Sequence, residues 1–310
     1  MTKVFIDGSS GTTGLRIHQR LAQRSDIELI SLPDEKRKAP EYVKAAINES
    51  DITFLCLPDD AAIEAAAMAE NPDTVILDTS TAHRTATGWA YGFPELSSAH
   101  LEAVRTSKRI AVPGCHASGF ISLVSPLVSA GLLSPDTALC CFSLTGYSGG
   151  GKKMIAQYES SPDDALLSAP RQYGITQNHK HLKEMVKISG LSAAPAFCPI
   201  VDDFYSGMEV TVPVFASMLP AGKGAEDIKN IYRALYTGPI VSYVDGGDEG
   251  GFLSAGAFSG KDKMVISVHG NDERILLTAR YDNLGKGASG AAVECMNIVM
   301  GIEPTTGLEL

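Results

Sequence analysis

The sequence predicts an α/β protein in two parts: a Rossmann-type doubly wound parallel-sheet domain, then an α+β domain with a largely antiparallel sheet. Three observations predict it. Over residues 1–115, short apolar runs alternate with helical patterns, which is the signature of a parallel sheet covered on both faces. A glycine-rich turn, "GSSGTTG" (8–14), lies between the first apolar run and the first helical pattern. Beyond residue 133 the apolar runs lengthen, and helical segments interrupt them only twice before the last helix.

The elements follow in order. "KVFID" (3–7), "IELISL" (27–32), "ITFLCLP" (52–58), "TVILDTS" (74–80) and "RIAVPG" (109–114) read as buried parallel strands. Residues 12–24 read as a helix with Leu15, Ile17 and Leu21 near helical spacing, and 59–70 as an alanine-rich helix with acids in its first turn. "CHASGFISLVSPLVSAGLL" (115–133) reads as one helix, kinked at Pro126 and ending near Gly131. Strands are predicted at 137–148, 192–201, 208–217, 264–270 and 274–283, with helices around 177–188 and 225–236. Residues 287–302 read as an amphipathic helix returning to the first domain, whereas 33–40 and 243–252 read as flexible. The expected division is 1–115 for cofactor binding, completed by the C-terminal segment 285–310, and 116–284 for catalysis and oligomerisation.

Bulk properties exclude several classes. A 310-residue chain with 44% hydrophobic and 20% charged residues has an ordinary globular composition and ample core. Its formal charge of −10 argues against nucleic-acid binding. No apolar run reaches the roughly 18 residues a membrane span needs, and the N-terminus carries no signal-peptide pattern. Six cysteines without a C-x-x-C pair read as free thiols, so a reducing cytoplasm is expected. Metal-ligand spacing is absent: two residues apart, His179 and His181 would fall on different faces of a helix.

Gly8, Gly11 and Gly14 would let the backbone turn tightly and approach a pyrophosphate facing a helix N-terminus, so Ser10, Thr12 and Thr13 join them as cofactor-binding candidates. The G-x-x-G-x-x-G spacing is weak alone, and its setting between strand and helix favours a dinucleotide. After the second strand, Asp34 and Glu35, suited to a ribose hydroxyl, compete with Lys36, Arg37 and Lys38, suited to a 2′-phosphate. The basic trio, with Arg37 and Lys38 as the contacts, favours NADP over NAD.

Cys56, Cys140, Cys141 and Cys198 read as small core hydrophobes, and Cys295 as part of the last helix. Cys115 differs. It follows a strand at the carboxyl edge of the sheet, opens a helix whose dipole stabilises a thiolate, and sits between the inferred domains. A thiol used with a nicotinamide implies acyl-level oxidoreduction through a thioester, which needs an acid/base near the sulfur. His18, His100 and His269 read as surface or turn residues. His116 adjoins Cys115, but helical neighbours point apart. His83 at a strand end is a secondary candidate. His179 and His181, with Glu184 following, are the other pair, and their spacing equally suits a solvated helix face.

The segments "GSSGTTG", "LDTSTAHR", "YGFPEL", "VPGCHASG", "TGYSGGGKK", "NHKHLKE" and "DNLGKGASGAAVECMN" occur in the order seen in the N-acetyl-γ-glutamyl-phosphate reductases. The chain resembles the shorter type of that family over nearly its whole length, and the family belongs with aspartate-semialdehyde dehydrogenase. The resemblance implies NADPH-dependent reduction of an acyl phosphate to a semialdehyde in arginine biosynthesis. It implies Cys115 as nucleophile, His179 as acid/base and Glu184 as its support. It also implies that Ser80, Gly285, Lys286 and Gly287 lie with the cofactor, and that Ser148, Gly149, Gly150 and Lys152 form a substrate loop. The chain departs from the family where "PGCHAS" stands for P-G-C-Y-P-T, and where Lys183 replaces a proline after the H-x-H pair.

The substrate's carboxylate and phosphate require cations, for which Arg84, Lys152 and Arg171 are candidates; Arg109, at the wrong edge of its strand, reads as structural. The antiparallel sheet offers a surface for a homo-oligomer, dimer or tetramer. The alternatives are an aspartate-semialdehyde dehydrogenase acting on aspartyl phosphate and a non-catalytic NADP sensor.

Overall fold

The computed structural model describes residues 1–161 and 163–310. The chain divides into two compact units, Met1–Gly114 with Ala288–Leu308, and Cys115–Gly287 with Glu309–Leu310.

In the first unit, β1 (Thr2–Asp7), β2 (Ile27–Ile30), β3 (Ile52–Leu55), β4 (Val75–Asp78), β5 (Ala90–Tyr91) and β6 (Arg109–Ala111) form one sheet in the order β2-β1-β3-β4-β6-β5. Every pairing is parallel. Its helices are α1 (Thr12–Leu21), α2 (Pro40–Glu49), α3 (Asp59–Ala67), α4 (Ser98–Thr106) and, from the far end of the chain, α9 (Gly290–Val299). Successive strand residues point to opposite faces, and both faces are apolar. Val4, Ile6, Phe54 and Leu77 pack with Ile17 and Leu21 of α1 and with Ala292, Val293 and Met296 of α9. Phe5, Leu55 and Ile76 pack on the other side with Val43 and Ile47 of α2 and Ala65 of α3.

Several expectations need correcting here. The sequence reading assigns no element between the flexible 33–40 and the third strand, whereas α2 starts at Pro40, with Val43, Ala46 and Ile47 as a buried stripe. Leu15 is exposed, and the buried positions of α1 are Gly14, Ile17 and Leu21. The last helix is not amphipathic: Gly290 to Ile298 are all buried, and one π-helical turn, Gly285–Ser289, precedes it.

In the second unit, β7 (Cys140–Gly146), β8 (Arg171–Gln172), β9 (Ala196–Asp202), β10 (Met208–Phe215), β11 (Val241–Tyr243), β12 (Met264–Gly270) and β13 (Arg274–Tyr281) form a sheet in the order β11-β12-β13-β10-β7-β9-β8. The sheet is mixed: β11 with β12 and β7 with β9 are parallel pairs, and the other pairs are antiparallel. Helix α5 (Cys115–Ser129) lies against β10 and β13, with α7 (His181–Ser189) and α8 (Ala225–Leu235) packed on it. Pro126 stands inside α5 without ending it, and the chain turns at Gly131, whose φ of +69° favours glycine. A further helix, α6 (Gly151–Ser160), starts within the "SGGGKK" segment. On strand positions that α5 does not cover, Cys140, Phe142, Phe215 and Leu276 are exposed, so Cys140 is not a core thiol.

Candidate active site

The glycine turn lies between β1 and α1. Gly8 has φ of +82°, and a Cβ there would stand 2.2 Å from the Cys56 carbonyl oxygen. A Cβ at Gly14 would stand 2.4 Å from the Gly8 carbonyl oxygen. Gly11 is roomier and serves as the N-cap of α1 with no side-chain cap, which leaves the first-turn amides, those of Thr12, Thr13 and Gly14, without intrahelical acceptors. No acid stands in that first turn to neutralise its positive end.

A cavity of about 720 Å³ opens beside this turn, lined among others by Gly8, Ser10, Gly11, His18, Arg37 and Lys38. Arg37 pairs with Asp34, which also lines the cavity. Backbone donors, a positive helix end, bare glycines and two exposed cations fit a dinucleotide carrying several phosphates. Thr12, Thr13 and Gly14 lie outside the cavity wall, and His18, read as a surface residue, is part of it. Ser80 is buried, and its amide and hydroxyl donate to Asp78 at 2.9 and 2.7 Å. Asp78 also holds His83 at 2.6 Å, and His83 stacks on Trp89 with centroids 3.9 Å apart. Arg84 is buried and donates to the carbonyls of Val112 and Thr79, both at 2.9 Å. Arg109 donates to the Thr74 and Lys108 carbonyls.

The second unit opens with Cys115, the half-buried first residue of α5. Its backbone is tightly held. The Tyr281 hydroxyl donates to the Cys115 carbonyl at 2.6 Å and accepts the Gly119 amide at 3.0 Å, standing as a wedge in the first helical turn. A Cβ on Gly287 would lie 3.1 Å from the Cys115 Cβ, so the glycine allows this close approach.

His116, next to it in sequence, belongs to a cluster of rings. His116, Tyr173, His179 and His181 approach one another, with His116–His179 centroids at 5.7 Å and His179–His181 at 4.7 Å. Tyr173 and His179 are 6.1 Å apart. The close pairing of His179 and His181 departs from the expectation of separate helix faces, because α7 begins only at His181. The His181 amide donates to His179 Nδ1 at 3.2 Å, so the neutral His179 ring carries its proton on Nε2. Burial, with Lys180 adding to it, lowers the His179 pKa. Burial pushes His116 down to about 3, so it is neutral at working pH. Burial and the nearby Cys115 sulfur both raise the Tyr173 phenol. Two thiols elsewhere are poor nucleophiles: burial pushes Cys56 up to about 12 and raises Cys141 well above its ordinary value.

Glu184 is buried in the first turn of α7. Ser148 is buried, its amide donating to the Tyr205 carbonyl and its hydroxyl accepting from Asn283 Nδ2, both at 3.0 Å. Gly149, Gly150 and Lys152 are exposed. Arg171 donates to the Tyr158 hydroxyl at 2.8 Å, while its buried Nε has no partner among the described residues. Lys286 is buried, and a Cβ on Gly285 would meet the Lys261 carbonyl at 2.1 Å. Tyr173 escapes sequence reasoning, and His116, set aside there because helical neighbours point apart, joins the ring cluster. The one sign of His116 is that it stands where the resembling family has tyrosine.

Residues 3–104 match the family described as semialdehyde dehydrogenase, NAD binding domain, and residues 115–283 match semialdehyde dehydrogenase, dimerisation domain. Among solved structures, aspartate semialdehyde dehydrogenase II from Vibrio cholerae, complexed with ASA, superposes with a TM-score of 0.74 at 17% identity, covering 97% of this chain and 98% of that one. Aspartate semialdehyde dehydrogenase with NADP from Candida albicans gives 0.67 at 15% identity, covering 97% and 98%. The fold is that of the semialdehyde dehydrogenases.

Sequence identity narrows the class. N-acetyl-gamma-glutamyl-phosphate reductase of Trichormus variabilis is 42% identical, with 99% of each chain covered. N-acetyl-gamma-glutamyl-phosphate reductase 2 of Pseudomonas putida is 42% identical over 96% of each. The chain belongs to the N-acetyl-γ-glutamyl-phosphate reductase family.

Proposed function

We propose that this chain reduces N-acetyl-γ-glutamyl phosphate to N-acetylglutamate 5-semialdehyde with release of phosphate, a step of arginine biosynthesis, using NADPH and a Cys115 thioester. The observation that carries the reading is Cys115 itself. Among the described thiols it is the one that opens a helix, next in sequence to His116 of the ring cluster and near enough to Tyr173 to act on its phenol, while burial raises Cys56 and Cys141.

The cofactor is held by the 8–14 turn and the α1 amides, with Arg37 and Lys38 for a 2′-phosphate; when bound it supplies the hydride. The Cys115 thiolate attacks the acyl carbon. The S–C bond forms as the C–O bond to phosphate breaks, and phosphate leaves with that electron pair. After reduction, the C–S bond breaks and the thiolate is restored as aldehyde departs. His179 presents Nε2–H to the carbonyl oxygen and stabilises its negative charge, the proton's position being fixed by the His181 amide on Nδ1. Glu184 supports α7 beneath the imidazoles. Arg171 and Lys152 serve the substrate's anionic groups. Gly285 and Gly287 keep the β13–α9 turn clear for the cofactor. The chain works as a cytoplasmic homo-oligomer through the second unit, whose matching family is described as a dimerisation domain.

The test is the reverse reaction with NADP, phosphate and either N-acetylglutamate semialdehyde or aspartate semialdehyde, run on wild type and Cys115→Ala. Turnover of the N-acetylated substrate, lost in Cys115→Ala with NADPH binding retained, is the expected result. Preference for aspartate semialdehyde, or appreciable turnover without the thiol, overturns it.

A further inference from the structure

One buried group in the ring cluster has no part in the chemistry above. His116 is buried, and both ring nitrogens are engaged: Nδ1 lies 2.6 Å from Ser143 Oγ on β7, and Nε2 lies 2.6 Å from the Tyr173 hydroxyl. Which atom donates in each pair follows from counting protons. A neutral imidazole has one N–H, and a hydroxyl has one O–H. Ser143 is fully buried, and its hydroxyl has no other hydrogen-bond partner among the described residues. If Nδ1–H donated to Ser143, the serine's own proton would be left buried without an acceptor, which is costly. The satisfied arrangement is the reverse: Ser143 O–H donates to Nδ1, the ring proton is on Nε2, and Nε2–H donates to the Tyr173 oxygen. Tyr173 then has its own O–H proton unused by any described residue. The phenol is only half-buried and close enough to Cys115 to feel the charge of its sulfur.

We propose that Ser143 and His116 are a positioning pair that fixes the phenolic proton of Tyr173 toward the Cys115 centre, where it donates to the negative charge of the reaction. The inference rests on Cys115 being the reacting thiol. In this arrangement the acidic proton of Tyr173 is never shared with His116, so the phenol acts as a preorganised donor. It complements the Nε2–H of His179, whose ring centroid lies 6.1 Å from that of Tyr173. His116 is held neutral by its burial; the titratable groups that face it are His179, His181 and Tyr173, while Ser143 and Phe197, which also pack against it, do not titrate.

Two measurements on the full chain decide the matter. Long-range ¹H–¹⁵N spectra of protein labelled at histidine nitrogen, with the His116 signals assigned through His116→Gln, report the resting tautomer. The Nε2–H form is expected, and an Nδ1–H form overturns the proposal whatever the kinetics. In turnover, Tyr173→Phe is expected to lower kcat about 100–1000-fold with KM nearly unchanged, in the range of losing one oxyanion donor. Ser143→Ala should lower kcat about 3–10-fold alone and less than about twofold when Tyr173 is already Phe, because its effect passes through the phenol. Ser143→Thr, which keeps the hydroxyl, should restore most of the loss. Additive losses, or full kcat in Tyr173→Phe, overturn the positioning role. Turnover surviving in Cys115→Ala overturns instead the reading of the reaction, and leaves the tautomer result standing.

Discussion

Substituting Gly119 by Ala tests how rigidly the first turn of α5 is held. A Cβ at this position would stand 2.6 Å from the Tyr281 hydroxyl, 2.6 Å from Val210 Cγ2 and 2.8 Å from Val210 Cβ. None of these can yield easily. Tyr281 is fully buried on β13, Val210 lies on β10, and the Tyr281 hydroxyl is tied to the Cys115 carbonyl and the Gly119 amide. Overpacking of this kind costs about 1–3 kcal/mol. Displacing the phenol forfeits two buried hydrogen bonds at about 0.5–1.5 kcal/mol each. A central value of about 4 kcal/mol lowers the melting temperature by roughly 8–16 °C for a unit of this size. Tyr281→Phe, which loses the hydrogen bonds without the clash, should fall by about half as much. Scanning calorimetry of both variants beside kcat is the assay, and kcat should drop in both because the Cys115 backbone loses its anchor. A Gly119→Ala protein melting within about 2 °C of wild type, with kcat intact, would refute the rigid-wedge reasoning.

Two further outcomes follow from the charges. Burial depresses His116 from its ordinary value to about 3 in the folded chain, so between pH 6.5 and 3 the unfolded chain binds the extra proton. That contribution is fully present above pH 6.5 and is lost as pH falls, on the order of 2 kcal/mol by pH 5; urea unfolding of His116→Gln should show a correspondingly flatter dependence, and an unchanged slope would contradict it. Replacing both Arg37 and Lys38 by Ala should weaken NADPH binding about 10–100-fold while leaving NADH nearly unaffected, as measured by fluorescence titration, because only the former carries a 2′-phosphate to lose charged hydrogen bonds. Equal losses for both cofactors would remove these cations from cofactor choice.

Much of the fold was legible because its signals are local. Unbroken apolar runs such as "ITFL" mark strands covered on both faces, and both faces of β3 are indeed buried. Other elements were hidden by composition. The charged "PDEKRK" masked the start of α2, although Val43, Ala46 and Ile47 keep helical spacing. The glycine run at 149–151 masked α6, which begins at Gly151 with φ of +68°. Cys140 was taken for a core thiol because a strand of apolar residues does not say which of its faces another layer covers.

The candidate site divides along the same line. Sequence by itself determined the main strands of both sheets and six of the helices, the glycine turn with its basic neighbours, and a cysteine at the start of a helix, since each depends on residues a few positions apart. It also carried the family motifs. Only the tertiary structure decided that His116 turns toward Tyr173 and His179, that Tyr281 enters the first turn beneath Cys115, and that Gly287 leaves room for the Cys115 side chain. Those meetings join residues up to 172 positions apart in sequence, from Cys115 to Gly287. They arise where α7 packs on α5 and where β13 runs beneath it, and no periodicity within one segment encodes which side chains will face each other across such a contact.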